Sequence, residues 1–244
     1  MTPPRALALL GSDYPDLGPL AITSFPDGGA IALSRGAHPK PYPHVDPNED
    51  AVLLLRTDEG ALLAVADGHD GVASAELAIR SVCEHAAELI PARGQAFETR
   101  TRVMIEDLVQ RLGGAGRSRA SLVLTTVQGE DCHFALLGDC SVWRANLPDP
   151  QSVPNDLILG PALRLQNVPE TLWSGYFRRD PDERIALVSD GITNFVPDIY
   201  KICLILRHAK DDSAAVGTLA ETALTGGAGD NLAAATITSL APRS

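Results

Sequence analysis

Four aspartates, Asp67, Asp139, Asp190 and Asp230, each stand beside a short apolar run of the chain. Runs of this length predict buried strands, so each carboxylate is expected where a strand meets a loop, and the four could converge at one edge of a sheet. Carboxylates crowded within a few ångströms repel one another, and a site that keeps them ionised near neutral pH normally holds a divalent cation. The spacing therefore predicts a metal site.

Length and charge restrict the class of protein. The chain has 244 residues and a formal net charge of −11, which opposes binding to nucleic acid or to an anionic membrane. No apolar stretch is long enough for a membrane span, and the apolar run Ala6–Leu10 is too short and too poorly flanked for a signal peptide. We therefore expect a cytoplasmic protein.

The four cysteines, Cys83, Cys132, Cys140 and Cys203, are scattered and form no C-x-x-C pair. Cys83 and Cys203 fall on the apolar side of helical patterns, which predicts reduced core thiols rather than disulfides or a zinc site.

Strand and helix patterns alternate along the chain. A turn at Pro26–Gly29 predicts a hairpin within residues 19–35, and a second hairpin is expected from Ala51–Leu55 and Leu62–Ala66. Helices are predicted at 72–90, 97–112, 198–207 and 212–224, and further strands at 121–127, 133–137, 141–144, 185–188 and 232–238. The proline-rich segments 37–48 and 147–154 are expected to be loops, and the region from there to Tyr176 has no clear pattern. This order favours an α+β domain with helices outside antiparallel sheets.

Five short motifs resemble, in order, those of the metal-dependent protein serine/threonine phosphatases of the PP2C (PPM) type. They are Asn48-Glu49-Asp50, Asp67-Gly68-His69-Asp70-Gly71, Gly138-Asp139-Cys140, Ser189-Asp190-Gly191-Ile192 and Asp230-Asn231. The match spans about residues 20–240. The resemblance implies a single phosphatase domain over residues 1–244, with an α+β fold. Its architecture would be a four-layer α-β-β-α sandwich, in which two antiparallel sheets are flanked by helix pairs.

The resemblance also implies a centre of two Mn²⁺ or Mg²⁺ ions, with a possible third. Asp67 would bridge the two ions, the carbonyl oxygen of Gly68 would bind one, and Asp190 and Asp230 would hold the other. Glu49 or Asp50 would act through bound water, and Asp139 with Asp190 could hold a third, weaker ion. Oxygen ligands of this kind suit hard Mg²⁺ or Mn²⁺.

The implied reaction is hydrolysis of phosphoserine and phosphothreonine in proteins by a water that bridges the two metals. Asp67 would hold this nucleophile, and His69 matches the position of a general acid that protonates the leaving oxygen, a role that suits an imidazole. An orienting role, or an ordinary loop histidine, are the alternatives for His69. The expected partner is a phosphorylated protein, in opposition to a Ser/Thr kinase, and the protein is expected to be a monomer.

The sequence departs from the family at its substrate contacts. The family places an arginine that clamps phosphate four residues before the acid of the first motif, where this chain has Val45. Arg35, His44 or Arg117 could replace it, and the sequence does not choose among them. Arg119-Ala120-Ser121 and Ser141 also depart from the family pattern, and the interval from Asp139 to Asp190 is short. A phosphatase-like regulatory or binding module with little turnover, or a different metal hydrolase, remain as alternatives.

Overall fold

The computed structural model describes residues 4–113, 117–151 and 172–238, which contain twelve strands and six helices. The strands are β1 Arg5–Leu10, β2 Leu20–Ser24, β3 Ala30–Ser34, β4 Ala51–Arg56, β5 Ala61–His69, β6 Arg119–Gln128, β7 Asp131–Leu137, β8 Ser141–Arg144, β9 Leu147–Gln151, β10 Trp173–Arg178, β11 Ile185–Val188 and β12 Leu232–Ile237. The helices are α1 Ala73–Glu84, α2 Ala86–Leu89, α3 Gly94–Leu112, α4 Asp190–Thr193, α5 Ile199–His208 and α6 Asp212–Thr225.

The strands form two antiparallel sheets packed face to face. The first has the order β1-β4-β5-β6-β7-β10 and the second β2-β3-β12-β11-β8-β9. Along β5 the side chains alternate, so that Leu62 and Ala64 pack on α1–α3 while Leu63 and Val65 fill the space between the sheets. A third apolar layer joins the second sheet to α4–α6. The predicted four-layer α-β-β-α sandwich is confirmed.

Local sequence signals explain where the C-terminal helices begin. The side chain of Asp198 accepts a hydrogen bond from the backbone N–H of Tyr200 at 2.9 Å, and that of Asp211 accepts one from Ala214 at 2.7 Å. Each carboxylate satisfies a free N–H of the first helical turn, as expected of N-cap residues. None of the helices in the described ranges has the length and apolar composition needed to cross a membrane.

Several predicted boundaries are wrong. β1, for which no strand is predicted, pairs with β4 at the edge of the first sheet. Leu147–Gln151 is strand rather than loop and pairs with β8, while 152–154 lie outside the described residues. The predicted helix over 72–90 is interrupted at His85, between α1 and α2.

The prediction that Cys83 lies in the core is also wrong. Cys83 is exposed, whereas Cys132, Cys140 and Cys203 are buried as expected, and all four are free thiols. The apolar stripe of α1 runs through Ala75 and Val82, and Cys83 lies one position beyond it, on the outer face of the helix.

Asp212 connects three segments at the far end of the second sheet. Its carboxylate accepts hydrogen bonds from the backbone N–H of Gly29 at 2.7 Å, from Arg184 Nε at 2.8 Å and from the Thr238 hydroxyl at 2.5 Å. Asp212 and Arg184 are both buried. The pair therefore fixes the first residue of α6 against the β2–β3 turn and the end of β12.

We expect Asp212→Ala to lower the free energy of unfolding by about 3–5 kcal/mol, because it leaves the Arg184 guanidinium buried without its partner. Urea denaturation followed by circular dichroism measures the change. The exposed Asp182 provides a control, and Asp182→Ala should alter stability by less than about 0.5 kcal/mol. A loss below about 1 kcal/mol in Asp212→Ala would contradict the assigned role.

Candidate metal and active site

Strand register places Asp50 and Asp67 side by side. Ala51 pairs with Ala66 at the end of the β4–β5 ladder, so the next residue on each strand, Asp50 and Asp67, extends the same pairing. Asp67 shares the strand face of Val65, which points into the space between the two sheets. Both aspartates are almost completely buried at this end of the sandwich.

The second sheet brings two more acids to the same end. Val188 of β11 pairs with Ala234 of β12, so the end of β11 and the start of β12 lie next to each other. Asp190 follows β11 as the first residue of α4, and Asp230 precedes β12. The fold therefore brings acids from the ends of separate strands together, as the short apolar runs in the sequence predict.

Asp67 and Asp190 lie within hydrogen-bonding distance of each other. Burial is the main cause that raises the pKa of both carboxyls, and neighbouring carboxylates raise that of Asp67 further. Without a cation the two groups need a shared proton to stay this close. Arrangements of this kind are suited to a divalent ion, which replaces the proton and offsets the repulsion.

Asp139 completes this part of the cluster. It stands between β7 and β8, and the hydroxyl of Ser121 on β6 donates a hydrogen bond to its carboxylate at 2.6 Å. Possible ligand atoms of Asp67, Asp139 and Cys140 all lie within 4.8 Å of one another. Burial and the nearby carboxylates raise the pKa of the Cys140 thiol well above its usual value, so the sulfur stays protonated and is a poor ligand for a hard cation.

Asp50 gives the clearest sign that the cluster is built for a cation. Both of its carboxylate oxygens are buried, and neither accepts a well-formed hydrogen bond within the described part of the chain, although the Ser189 hydroxyl is near enough to lower the pKa of the carboxyl. Burial raises the pKa of Asp50 to about 8, although the nearby Lys40 opposes the increase. An ionised carboxylate in this position needs further partners, and a metal ion would supply them by direct coordination or through a hydrogen bond from its bound water.

Gly68 is predicted to bind metal through its backbone carbonyl oxygen, and the structure leaves no room for a side chain at this position. A Cβ atom at this position would lie 2.1 Å from the carbonyl oxygen of Glu49, so no larger residue can occupy it without moving the backbone. The contact holds the Asp67–Gly68 segment tightly against the end of β4. Which atoms of this segment bind metal stays a prediction.

His69 lies at the rim of the cluster. Its Nδ1 is 3.7 Å from Asp67 Oδ1, and a quarter of the side chain is exposed. Nδ1 is buried without a hydrogen-bond partner in the described residues. The next residue, Asp70, adopts a left-handed conformation with φ of 59° and forms an ion pair with Arg119 at 3.0 Å. The ring thus reaches from the carboxylates towards solvent.

The structure separates the two acids of the first motif. In contrast to Asp50, both carboxylate oxygens of Glu49 have partners. Oε1 accepts a hydrogen bond from the backbone N–H of Gly71 at 2.6 Å, and Oε2 forms an ion pair with Lys40 Nζ at 3.0 Å. Its own N–H donates to the side chain of Asn231 at 2.8 Å. Of the two, Asp50 has the free oxygens that a bound water would need, and Glu49 holds the surrounding loops together.

Two residues of the proline-rich loop were missed by the sequence analysis. Lys40 is buried, with Nζ 3.3 Å from Asp230 Oδ1, and the hydroxyl of Tyr42 donates a hydrogen bond to Asp230 Oδ2 at 2.9 Å. No local signal marks either residue, because a lysine and a tyrosine among the prolines at 39, 41 and 43 are ordinarily expected in an exposed loop. Asp230 therefore has a buried ammonium as partner, whereas Asp190 accepts a hydrogen bond from the neutral side-chain amide of Asn194 at 2.9 Å.

The residues considered as replacements for the phosphate clamp have other contacts. Val45, at the clamp position, is 69% exposed. An Arg35 guanidinium nitrogen donates to the carbonyl oxygen of Pro15 at 2.7 Å, and His44 Nδ1 is 3.3 Å from the carbonyl oxygen of Tyr42. Arg117 is exposed. No described contact joins these side chains to the carboxylate cluster, so the clamp has no evident substitute among them.

The raised pKa of Asp50 predicts how the metal-free protein responds to pH. Between the unfolded pKa near 4 and the folded pKa of about 8, the folded state binds more protons, so stability is highest at acidic pH and falls as pH rises. We expect Asp50→Asn to raise the free energy of unfolding at pH 8 by more than about 1.4 kcal/mol, the worth of one pKa unit.

Urea denaturation at pH 5 and pH 8 in the presence of a chelator measures this effect. The exposed Asp16 serves as control, and Asp16→Asn should leave the pH dependence unchanged. A metal-free protein that is equally stable at both pH values, in wild type and Asp50→Asn alike, would contradict the repulsion inferred at the cluster.

No protein-family model matches the chain, and no curated protein sequence does. Solved structures, in contrast, match the chain in fold. PppA, a key regulatory component of T6SS in Pseudomonas aeruginosa, is 22% identical with a TM-score of 0.65, over 86% of this chain and 96% of that one. The S. agalactiae serine/threonine phosphatase is 15% identical with a TM-score of 0.71, and the match covers 90% of this chain and 99% of that one. The Mycobacterium tuberculosis serine/threonine phosphatase PstP/Ppp is 20% identical with a TM-score of 0.61, and the match covers 90% of this chain and 98% of that one.

These similarities extend over nearly the whole length of each neighbour. At identities of 15–22% they establish the fold and leave the activity open. The chain therefore has the fold of the PP2C-type serine/threonine phosphatases, as the five motifs predict.

Proposed function

We propose that this chain, which has the fold of PP2C-type phosphatases, is a metal-dependent phosphatase that hydrolyses phosphoserine and phosphothreonine in proteins. The observation that carries the proposal is the buried carboxylate cluster, in which neither oxygen of Asp50 accepts a well-formed hydrogen bond from the described residues and Asp67 approaches Asp190 closely enough to share a proton. Such a cluster is costly to a fold unless a cation uses it. The named fold neighbours supply the substrate class.

Asp67 would contribute to both divalent ions, Mn²⁺ or Mg²⁺, the Gly68 carbonyl oxygen would bind one of them, and Asp190 and Asp230 would hold the other. Asp139 would contribute to a third, weaker ion, and Asp50 would hold a bound water. When bound, such ions supply an activated water as nucleophile and offset the charge that develops on the phosphoryl oxygens. No acceptor side chain for the phosphoryl group is then needed.

His69 would hold a proton at the rim of the site and donate it to the serine or threonine oxygen as it leaves. Its Nδ1 lies 3.7 Å from Asp67 Oδ1, and its partial exposure leaves room for a leaving group. Asp67 would thereby orient the ring as well as bind metal. The protein substrate would approach from the open side, next to the exposed Val45.

One observation favours a second candidate, a regulatory or binding module with little turnover. The position of the phosphate clamp is occupied by Val45, which offers only apolar contact to a phosphoryl group, whereas arginine would bind it with two charged hydrogen bonds. One fold neighbour is described as a key regulatory component. The intact cluster around Asp67 favours the enzyme.

A comparison of peptides separates the two candidates. Phosphate release is measured from matched peptides that carry phosphothreonine, phosphoserine or phosphotyrosine, at millimolar Mn²⁺. The phosphatase proposal expects turnover of the first two and a much lower rate with phosphotyrosine. Binding of phosphothreonine peptide without release of phosphate would favour the regulatory module, and neither binding nor release would contradict both.

A further inference from the structure

We propose that Arg119 binds the phosphoryl group of the substrate and so supplies the positive charge that Val45, at the clamp position, cannot. The inference rests on the proposed phosphatase function and adds to it a residue that binds substrate. It follows from the register of β6, from the face of that strand on which Arg119 lies, and from the exposed ion pair that holds its guanidinium group.

Strand register places Arg119 beside His69. The β5–β6 ladder pairs Asp67 with Ser121 and His69 with Arg119. Side chains directly opposite each other in an antiparallel pair lie on the same face of the sheet, with Cβ atoms about 5 Å apart. Arg119 is therefore the cross-strand neighbour of the residue that would protonate the leaving oxygen.

The face of β6 that carries Arg119 is turned towards the carboxylate cluster. The Ser121 hydroxyl donates a hydrogen bond to Asp139 at 2.6 Å, and Val123 packs between the two sheets. Ala120 belongs to the opposite face, which packs on the helices. Because side chains two residues apart on a strand point the same way, Arg119 shares the face of Ser121 and lies at the rim of the site.

The backbone next to Arg119 is fixed. The buried Ser118 hydroxyl donates a hydrogen bond to the carbonyl oxygen of Gly71 at 2.6 Å and accepts one from the backbone N–H of Ser74 at 3.0 Å. These contacts join the start of β6 to the loop that follows His69. The base of Arg119 thus keeps its place beside His69 when the end of its side chain changes partner.

The guanidinium group of Arg119 is held only by a surface ion pair. Nη2 lies 3.0 Å from Asp70 Oδ2, and the two side chains are 42% and 41% exposed. Ion pairs this exposed contribute little to stability. A phosphoryl group carries more charge than a carboxylate and offers three oxygens, so it can replace Asp70 and accept two charged hydrogen bonds from the arginine.

Asp70 provides a way to separate this role from a purely structural one. Its φ of 59° is left-handed, a conformation that asparagine also tolerates, so Asp70→Asn removes the charge without forcing the backbone to move. If Arg119 binds phosphate, Asp70 competes with the substrate, and the two substitutions act in opposite directions. If the pair only holds the loop in place, loss of either partner should have the same effect.

Steady-state kinetics with a phosphothreonine peptide at millimolar Mn²⁺ test the inference. In Arg119→Met we expect KM to rise about ten- to a hundredfold while kcat changes by less than about threefold, because the phosphoryl group is bound before and during the reaction. Arg119→Lys keeps the charge but loses the two-point geometry, and its KM should lie between the two. Asp70→Asn should lower KM or leave it unchanged.

A binding measurement gives a second readout that needs no turnover. The affinity for a peptide that carries a non-hydrolysable phosphonate analogue of phosphothreonine, measured by fluorescence anisotropy, should fall in Arg119→Met by about the factor by which KM rises. Arg178 provides the matched control, since it forms an exposed ion pair with Glu130 at the opposite end of the first sheet. Arg178→Met should behave like the wild type in both measurements.

An unchanged KM and an unchanged affinity in Arg119→Met would overturn the inference, and so would equal losses in Arg119→Met and Asp70→Asn. Either result, with normal turnover in the wild type, would leave the phosphatase proposal intact. A wild type that neither binds the phosphonate peptide nor releases phosphate would overturn the proposed function together with the inference.

Discussion

Asp67→Asn is expected to lower kcat/KM for a phosphothreonine peptide at least about 10²-fold at millimolar Mn²⁺. Asp67 lies at the centre of the cluster, beside Asp50 and Asp190, and it approaches His69. Asparagine keeps the shape but removes the charge that attracts the cations. The same substitution should also weaken Mn²⁺ binding in calorimetry.

The metal-free stability of this variant distinguishes loss of metal from misfolding. Because Asp67 is buried among other carboxylates, removing its charge should leave the melting temperature of the metal-free protein unchanged or higher. Asp16→Asn, at an exposed position, is the control for the substitution itself. Near-normal turnover in Asp67→Asn would refute the metal mechanism.

His69→Asn should show a second large effect that depends on the leaving group. Loss of a general acid costs about 10²–10⁴-fold when the leaving oxygen needs a proton, as in a threonine residue. p-Nitrophenolate leaves as a stable anion and needs no proton. We therefore expect a loss of at least about 10²-fold with a phosphothreonine peptide and less than about tenfold with p-nitrophenyl phosphate.

Steady-state rates with both substrates, compared at the same Mn²⁺ concentration, measure this difference. His208→Asn, at the exposed end of α5, should leave both rates unchanged. An equal loss with the two substrates would assign His69 to orienting Asp67, and no loss with either would make it an ordinary loop histidine. These are the two alternatives that the sequence alone leaves open.

The convergence of the acids could be predicted because it depends on local patterns. Each strand that carries an acid is a short apolar run, and turn residues such as Pro26–Gly29 fix the hairpins. In antiparallel sheets neighbouring strands then bring their ends together, as with Asp50 and Asp67. The motifs therefore located the cluster without any knowledge of long-range contacts.

Lys40 could not be predicted, because its burial depends on residues far away in the chain. A lysine between prolines ordinarily lies in an exposed loop, and only the contact with Asp230, made through the packing of 36–38 on Ala228, encloses it. The contact of Tyr42 with Asp230 could not be predicted for the same reason.

Besides β10, which begins in the region without a clear sequence pattern, two strands escaped prediction for related reasons. β1 is a short run at the N-terminus whose strand character comes from pairing with β4, about fifty residues later. β9 contains prolines at 148 and 150, which argue against a strand, yet it lies at the edge of its sheet, where a proline need not break a ladder hydrogen bond. Non-local pairing decides both cases.

Phosphate release during a Mn²⁺ titration of chelator-stripped protein tests the central claim most directly. With a phosphothreonine peptide as substrate, we expect no release without metal and a rate that rises with bound Mn²⁺, measured in the same samples by calorimetry. Asp67→Asn should stay inactive throughout. Turnover that persists in excess chelator, or Mn²⁺ that binds the wild type without producing any release of phosphate, would contradict the account.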